Sequence, residues 1–331
     1  MSHSPPLVSV IVVVRNEAKY ISQTIESILN QDYPNVEVHV QDGGSTDGTL
    51  EILKSYPIKW ISEPDSGMAN AANKAASYVS GEYLIFEGGD DLLKPNAITL
   101  MVEAFEKNPH VGYVYGDIDI IDSEGIPYSI LRGKPFDMDE LFIYNYIPSQ
   151  SVLLKRSAFE GIGRFDENLI LADWDLRIKM GAVSQSAYIP HFLASYRIHD
   201  NSTTLKNLTT VAKELAEISH TLLKDPKIRA ALKRSPGRAL AGAYITSALS
   251  YIRANKPGTA FKLYFKAFFN FPLMAFKKQS VLLLLGLVLG QNRFNQFIER
   301  RRIVPSSKSV RTLGRFLDFI KRRKVELPSN K

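Results

Sequence analysis

The chain has 331 residues, of which 45% are hydrophobic, enough for a sizeable core in one large or two modest domains. It contains no cysteine, which excludes disulfides, thiolate nucleophiles and cysteine metal sites and is compatible with a reducing cytosol. The net charge of +7 combines 15 basic and 28 acidic side chains in residues 1–200 with 26 and 6 in residues 201–331. This asymmetry predicts an acidic body joined to a basic module that meets an anionic partner, such as phospholipid or nucleic acid.

Strand-like and helical patterns alternate along the first hundred residues. The strand-like runs are rich in Val and Ile, and they are residues 8–14, 36–42, the KWISEP segment and 83–86. The helical patterns between them are residues 19–29, 49–54 and 69–79. This alternation predicts βαβ units and a mostly parallel sheet with helices on both faces.

The loops after these strands carry acids. They read RNE (15–17), DGGSTDGT (42–49), EPDSG (63–67) and EGGDD (87–91), and three of the four also contain glycine. Ligands bind at the carboxyl ends of the strands in such sheets, so we expect these loops to form one site. Clustered carboxylates repel one another unless a divalent cation or hydrogen-bond donors neutralise them, and oxygen ligands suit Mg²⁺ or Mn²⁺. The chain has no Gly-rich P-loop and no dinucleotide-binding GxGxxG after the first strand.

The later part of the chain changes character. A strand-like run from 111 leads through a DSEG turn to Tyr128, which predicts a hairpin. Beyond Leu205 the strand signal fades, and we place a domain boundary near 204, giving domains 1–204 and 205–331. Helical periodicity covers residues 208–224, 236–254, 257–269 and 292–302. Small residues, Ala248 and Ala260, lie where two of these helices would cross.

Membrane insertion is not expected. The N-terminus lacks the basic region of a signal peptide, and we interpret it as the first strand. The longest apolar run, residues 281–290, is half of the roughly 20 residues that a spanning helix needs. The basic, aromatic run 260–290 and the tail 315–324 have two interpretations: a helical module packed on itself, or a surface that meets anionic lipid. Nucleic acid is not expected, because no recognition motif accompanies the charge.

Six motifs in order carry a resemblance to a known family. They are VSVIVVVRNE, VQDGGSTDGTLEIL, ISEPDSGMANAANKAA, GEYLIFEGGDDLLKP, GRFDENLILADWDLRIK and YRIHDNS. Together they closely resemble the inverting family 2 glycosyltransferases of the GT-A fold, over about residues 7–204. The resemblance implies a GT-A fold, a Rossmann-like mostly parallel sheet, followed here by a C-terminal all-helical basic module. It also implies a nucleoside-diphosphate sugar donor and a glycan or lipid-linked acceptor.

The resemblance assigns the nucleotide-sugar site. Glu17 and Asp42 match the positions that hold the ribose and base of the nucleotide. Asp65 and Asn73 match acid and amide positions that line the nucleotide-sugar pocket, and Asp91 would lie beside the donor sugar.

The resemblance also assigns the metal site. Asp90 matches the last acid of the DxD element, which reaches a divalent cation, Mn²⁺ or Mg²⁺, bound by the donor diphosphate. His199 matches a position that approaches the metal, although a hydrogen-bonded structural histidine is the alternative. The first acid of DxD is replaced by Gly88, and Glu87 is one residue out of register to substitute for it.

The catalytic base implied by the resemblance is Asp173 of ADWD. Asp175 is the alternative if the alignment slips, and only one of the two can point into the pocket because residues two apart lie on different helix faces. Trp174 between them is either core or a wall of the acceptor site. A carboxylate base deprotonates the acceptor hydroxyl as it attacks, a single displacement that inverts the anomeric centre.

The resulting hypothesis is a metal-dependent inverting glycosyltransferase of bacterial surface polysaccharide assembly, cytoplasmic and peripheral on the inner face of the cell membrane. Two alternatives remain. One is a catalytically inactive sugar-nucleotide-binding scaffold, which only Gly88 supports. The other is a nucleotidyltransferase, whose basic, glycine-rich loop after the first strand is not evident in RNEAKY.

Overall fold

The computed structural model describes residues 4–199, 207–273, 280–281 and 283–287. A nine-stranded sheet lies at the centre of this part of the chain, and its first half is parallel. Strand β1 (Val8–Val14) lies between β2 (Val36–Asp42) and β4 (Tyr83–Gly88), and β3 (Lys59–Ser62) pairs with β2. The sequence predicts all four strands. Because they run in one direction, their carboxyl ends meet at one edge of the sheet.

The second half of the sheet runs in both directions. Strand β8 (Val152–Lys155) pairs antiparallel with both β4 and β6 (Val111–Ile121), and β9 (Gln185–Arg197) runs parallel to β6. Strand β7 (Pro127–Leu131) folds back on β6 as the predicted hairpin. The two-residue strand β5 (Leu92–Leu93) pairs antiparallel with β9. The α/β class is confirmed, and its sheet is mixed because β8 enters antiparallel between β4 and β6.

Helices cover both faces of the sheet, as predicted. They are α1 (Ile21–Leu29), α2 (Thr49–Leu53), α3 (Met68–Ala76), α4 (Ala97–Lys107), α5 (Met138–Ile143), α6 (Arg156–Gly161) and α7 (Ala172–Val183). A single 3₁₀ turn, Ser149–Ser151, precedes β8. One core packs Ile25 and Phe105 on Val10, and the other packs Phe142 and Trp174 together. Each core follows from strand alternation, which sends successive side chains to opposite faces.

The chain continues as helices beyond residue 207. They are α8 (Leu208–Leu222), α9 (Pro226–Ala231), α10 (Pro236–Arg253) and α11 (Pro257–Asn270). Proline opens the last three, where its missing N–H costs nothing, and Asp225 and Ser235 cap α9 and α10. Ala248 and Ala260 are fully buried in one cluster, which confirms close helix packing at these small residues.

The first of these helices pack on the sheet domain. Leu215, Ile218 and Ile228 belong to the same core as Trp174. The Glu214 carboxylate of α8 accepts hydrogen bonds from the backbone N–H groups of Ile170 (2.9 Å) and Leu171 (2.9 Å), just before α7. The helical module therefore supports the start of α7 directly.

Several predictions fall outside the described residues. The boundary near 204 lies within residues 200–206 and stays a prediction, as do the helix at 292–302 and the basic tail at 315–324. Among the described residues, no helix is both long enough and apolar enough to cross a membrane.

Candidate active site

Three predicted site residues meet at the carboxyl ends of the strands. Glu17 follows β1, Asp90 follows β4 and His199 follows β9. One ligand atom from each can be chosen so that all three lie within 4.8 Å of one another. The Nε2 atom of His199 lies 2.8 Å from Oδ2 of Asp90. The sequence assigned Asp90 and His199 to the metal and Glu17 to the nucleotide, and the structure brings the three together.

The pairing of β5 with β9 is what brings Asp90 to His199. Strand β5 begins one residue after Asp91, so the EGGDD loop runs beside the end of β9. The backbone N–H of Arg197 donates to Asp91 Oδ1 (2.9 Å), and Nε of Arg197 donates to the carbonyl of Asp90 (2.9 Å). The buried guanidinium of Arg197 also lies over the ring of Tyr20, which is in contact with His199. Arg197 therefore fastens the loop to the strand that carries the histidine.

Asp91 is a buried carboxyl group with few donors. Its Oδ2 accepts a hydrogen bond from Nε2 of Gln150 (3.1 Å), and its Oδ1 accepts the one from Arg197. Burial, and then the charge of Asp90, raises the pKa of Asp91 well above its ordinary value. Asp91 thus links the loop after β4 to the turn at 149–151.

Glu87 is not one of the three residues of this cluster. It occupies the strand position before Gly88, and alternation sends the two positions to opposite faces of the sheet. Glu87 is 4% exposed, and neither of its carboxyl oxygens has a hydrogen-bond partner among the described residues. Burial raises its pKa well above the ordinary value, and Asp91 and Asp90 raise it further. Glu87 therefore lies outside the cluster of Glu17, Asp90 and His199, and that it does not substitute for the first DxD acid stays a prediction.

Gly88 is in close contact with the carboxylates of Asp90 and Asp91. A Cβ atom at this position would lie 2.7 Å from Oδ1 of Asp90 and 3.2 Å from Oδ2 of Asp91. Gly89 is equally confined, because its Cβ would lie 2.6 Å from Cγ2 of Val14. The two glycines therefore allow the backbone to pass closely between Val14 of β1 and the paired aspartates.

The loop after β2 is built around Asp42. Its Oδ2 accepts from the backbone of Gly44 (2.9 Å) and Ser45 (2.9 Å) and from the hydroxyl of Ser62 (2.6 Å). The hydroxyl of Ser45 donates to the other oxygen. Asp42 is fully buried, so its carboxylate shapes the turn that forms one side of the predicted nucleotide site.

Asp65 and Asn73 lie on neighbouring elements of this side. A Cβ at Gly43 would collide with the Asp65 carboxylate, so the loops after β2 and β3 touch. Oδ1 of Asp65 accepts from the N–H of Gly67 (2.8 Å). The Asn73 amide of α3 donates to the carbonyl of Phe165 (3.0 Å) and to Glu167 (2.8 Å). Asn73 thus fastens the GRFDEN segment to α3.

Asp173 lies in the first turn of α7, held by several donors. The hydroxyl of Ser149, the guanidinium of Arg177 and the amide of Asn145 (3.4 Å) all donate to Oδ2. Burial alone would raise the pKa of Asp173, but the Arg177 charge and the hydrogen bonds outweigh it and lower the pKa below its ordinary value. The side chain is still 19% exposed. Asp173 is therefore an ionised carboxylate with access to solvent.

Asp175 occupies a different environment. It is 3% exposed and pairs with Lys179 (2.6 Å), and burial raises its pKa despite that partner. Trp174 between them is fully buried and donates from Nε1 to the carbonyl of Leu141 (2.7 Å), so it belongs to the core. Of the two carboxylates, Asp173 is the one with the lowered pKa and the partly exposed side chain.

The sequence alone did not identify the groups that hold Asp91 and Asp173. The turn at 149–151 holds both, since Ser149 donates to Asp173 and Gln150 donates to Asp91. Arg177 has a signal in the sequence, because it lies four residues after Asp173 on a helix. The sequence gives no such signal for the turn at 149–151, because its contacts with Asp91 and Asp173 depend on which strands flank β8.

Comparison with known proteins identifies the family. The model of "Glycosyl transferase family 2" matches residues 9–160. An uncharacterized glycosyltransferase of Haemophilus influenzae is 30% identical over 221 residues, which cover 60% of this chain and 68% of that protein. The chain belongs to glycosyl transferase family 2. This membership confirms the resemblance carried by the six motifs.

The chondroitin synthases that resemble this chain are longer proteins. The chondroitin synthase of Pasteurella multocida is 29% identical over 217 residues, which cover 64% of this chain and 22% of that protein. The chain spans less than a third of the length of the chondroitin synthases that it matches.

Two solved structures share the fold. TarS 1–349 of S. aureus in complex with UDP-GlcNAc has a TM-score of 0.60 and 16% identity, covering 80% of this chain and 89% of that one. The mannosyltransferase PcManGT of Pyrobaculum calidifontis, in complex with GDP-Man and Mn²⁺, has a TM-score of 0.54 and 20% identity, covering 87% of each chain. The predicted GT-A fold is confirmed.

Proposed function

We propose that this protein is an inverting glycosyltransferase that moves a sugar from a nucleoside-diphosphate sugar to a hydroxyl of a glycan or lipid-linked acceptor. The observation that carries the proposal is the ionised, partly exposed Asp173, connected through the turn at 149–151 to the loop of Asp90 and Asp91. A base on one side and an acid cluster on the other suit a single displacement between donor and acceptor.

The donor would lie across the loops that follow β1, β2 and β3. Glu17, Asp42, Asp65 and Asn73 are the residues that the family resemblance assigns to the nucleotide and its sugar, and Asp91 would lie beside the sugar. The complexes of TarS with UDP-GlcNAc and of PcManGT with GDP-Man support a sugar nucleotide as the class of donor. Asp42 would act through the loop that it organises, and Asn73 through the segment that it anchors.

A divalent cation fits the donor set at Asp90 and His199. One carboxylate and one imidazole lie close together at the strand ends. The carboxylate suits both Mn²⁺ and Mg²⁺, and the imidazole nitrogen favours Mn²⁺ of the two. Mn²⁺ in the PcManGT complex supports the same class of cofactor. When bound, such an ion stabilises the negative charge that develops on the leaving diphosphate. The role of Asp90 and His199 is to hold it beside Asp91.

Asp173 would accept the proton of the acceptor hydroxyl. Its Oδ2 is held by Ser149, Asn145 and Arg177, which fixes the carboxylate while the side chain stays partly open. Because the attack comes from the face opposite the diphosphate, the product has inverted configuration and no covalent enzyme intermediate forms.

The decisive test is transfer or donor hydrolysis with a panel of sugar nucleotides, with Mn²⁺ and with EDTA. We expect turnover with one donor, loss of turnover in EDTA and loss in Asp173→Asn. Binding of a sugar nucleotide without turnover, unchanged in Asp173→Asn, would instead indicate the scaffold alternative. Release of pyrophosphate from a nucleoside triphosphate and a sugar phosphate would indicate the nucleotidyltransferase alternative.

The helix α11 supports a peripheral position on the inner face of the cell membrane. Phe261, Phe265 and Phe269 repeat every four residues on its outer side and are 50%, 41% and 77% exposed. Lys262 and Lys266 are exposed beside them. Adjacent exposed aromatic rings and lysines are the composition of a helix that lies in a headgroup layer of anionic lipid.

Vesicle flotation tests the membrane proposal with the full chain. We expect binding to vesicles with phosphatidylglycerol, weaker binding to neutral vesicles, and loss of binding when Phe265 and Phe269 are both changed to Ser. Ile126→Ser is the matched control, because Ile126 is 61% exposed on the β6–β7 turn. Equal flotation of the double variant and the control would contradict a role for α11.

A further inference from the structure

Glu17 lies in a cluster with Asp90 and His199, the two residues that the family resemblance assigns to the metal. Glu17, Asp90 and His199 each offer a ligand atom within 4.8 Å of the others. Two ligand atoms on opposite sides of an ion with bonds of about 2.1 Å lie about 4.2 Å apart. The three side chains therefore need only small movements to reach one ion.

We propose that Glu17 is a third protein ligand of the divalent cation, taking the coordination role that Gly88 leaves open. The proposal rests on the proposed function for the presence of the cation, but it concerns the assignment of Glu17. The family resemblance gives Glu17 to the ribose and base of the nucleotide, and the geometry points instead to the metal.

The backbone of Glu17 is held by the protein itself. Its N–H donates to the hydroxyl of Thr49 (3.1 Å), and its carbonyl accepts from Tyr20 (2.9 Å) and Ile21 (3.0 Å) at the start of α1. The preceding residue, Asn16, has a φ of 57°, and its side chain accepts from the N–H of Thr46 (2.8 Å). The DGGSTDGT loop thus fixes the turn that directs Glu17, and no nucleotide is needed to place it.

Position 88 cannot supply the ligand, and position 87 does not. Gly88 has no side chain, and a Cβ there would press on Oδ1 of Asp90 at 2.7 Å. Glu87 is not part of the described cluster, and both of its carboxyl oxygens are buried. Glu17 is the carboxylate that the described cluster adds to Asp90, so the pair restores the two acids of a DxD element from two different loops.

The test measures metal binding without catalysis. Binding of Mn²⁺ alone to the full chain is followed by electron paramagnetic resonance of the free ion, in wild type, Glu17→Gln, His199→Gln and Glu124→Gln. Glu124 is the matched control, since it is an exposed acid paired with Lys19 near the same helix. We expect Glu17→Gln and His199→Gln to weaken Mn²⁺ binding by roughly tenfold or more, and Glu124→Gln to leave it unchanged.

A second measurement separates the metal role from a nucleotide role. Binding of UDP and GDP in EDTA is compared between wild type and Glu17→Gln, with circular dichroism to verify folding. We expect no change, because a metal ligand does not touch the nucleotide in the absence of the ion. Wild-type Mn²⁺ affinity in Glu17→Gln would overturn the proposal, as would no Mn²⁺ binding by the wild-type chain. If the wild-type chain turns over none of the donors, but Glu17→Gln still weakens Mn²⁺ binding, the proposed function is overturned. The assignment of Glu17 to the metal would then still stand.

Discussion

Asp91 and Asp173 are held by consecutive residues of the same turn, yet their pKa values are shifted in opposite directions. Gln150 donates to Asp91 and Ser149 donates to Asp173. Burial and the nearby Asp90 raise the pKa of Asp91, whereas the guanidinium of Arg177 keeps the pKa of Asp173 low in spite of burial. The difference shows that local charge, more than burial, decides which carboxylate is ready to act as a base.

The largest expected effect is on catalysis by Asp173. Asp173→Asn keeps the shape of the side chain and removes its ability to accept a proton, so we expect the transfer rate to fall by about 10²- to 10⁴-fold. The measurement is kcat with the donor found in the panel. Asp175→Asn is the comparison, and a large loss there with little loss in Asp173→Asn would move the base to Asp175.

The next effect tests whether Arg177 sets the charge of Asp173. Arg177→Met leaves the carboxylate buried without its cation, so we expect the free energy of unfolding to fall by about 3–5 kcal/mol. Because the pKa of Asp173 is lowered in the folded state, its contribution to stability is present above the ordinary pKa of 3.8 and is lost as pH falls through the folded pKa. In Arg177→Met only the hydrogen bonds to Asp173, such as the one from Ser149, still oppose the effect of burial on its pKa, so the acid limb of the rate against pH should move to higher pH. An unchanged acid limb would show that Arg177 does not control the base.

Glu87, like Asp91, is a buried carboxyl group with a raised pKa, and it tests how burial affects stability. Its pKa in the folded state is raised above the ordinary 4.5, so the folded protein holds this proton more tightly than the unfolded chain. Stability from this group is therefore greatest below pH 4.5 and falls as pH rises toward the folded pKa.

Glu87→Gln removes this titration, so we expect it to be more stable than wild type at neutral pH by about 1–3 kcal/mol, with the difference vanishing in acid. Urea unfolding at several pH values checks this. Glu51→Gln, at a side chain that is 71% exposed, should show no such trend. A difference independent of pH would mean that the fold does not raise the pKa of Glu87.

The smallest expected effect concerns the support of α7 by the helical module. Glu214→Gln weakens the bonds to the backbone of Ile170 and Leu171, and we expect a loss of about 1 kcal/mol in stability and a few-fold loss in kcat. Glu217→Gln is the control on the same helix, since Glu217 pairs only loosely with Lys213 at 3.8 Å. Equal kcat in both variants would limit Glu214 to a role in stability.

The sequence by itself determined the strands β1 to β4, the β6–β7 hairpin, the α/β class and the family. Those features depend on local alternation and on motifs in fixed order, both of which are visible along one chain. It also predicted that Asp90 and His199 lie together, and the structure brings them within 2.8 Å.

Only the tertiary structure decided which partners each acid has. The insertion of β8 between β4 and β6 places the turn at 149–151 between Asp91 and Asp173, and the pairing of β5 with β9 brings Arg197 to the EGGDD loop. These contacts join residues more than 20 positions apart, so no local sequence pattern shows which of these donors faces which carboxylate. The physical reason is that a pKa depends on the solvation and the charges around a group in space, and these are set by the tertiary fold.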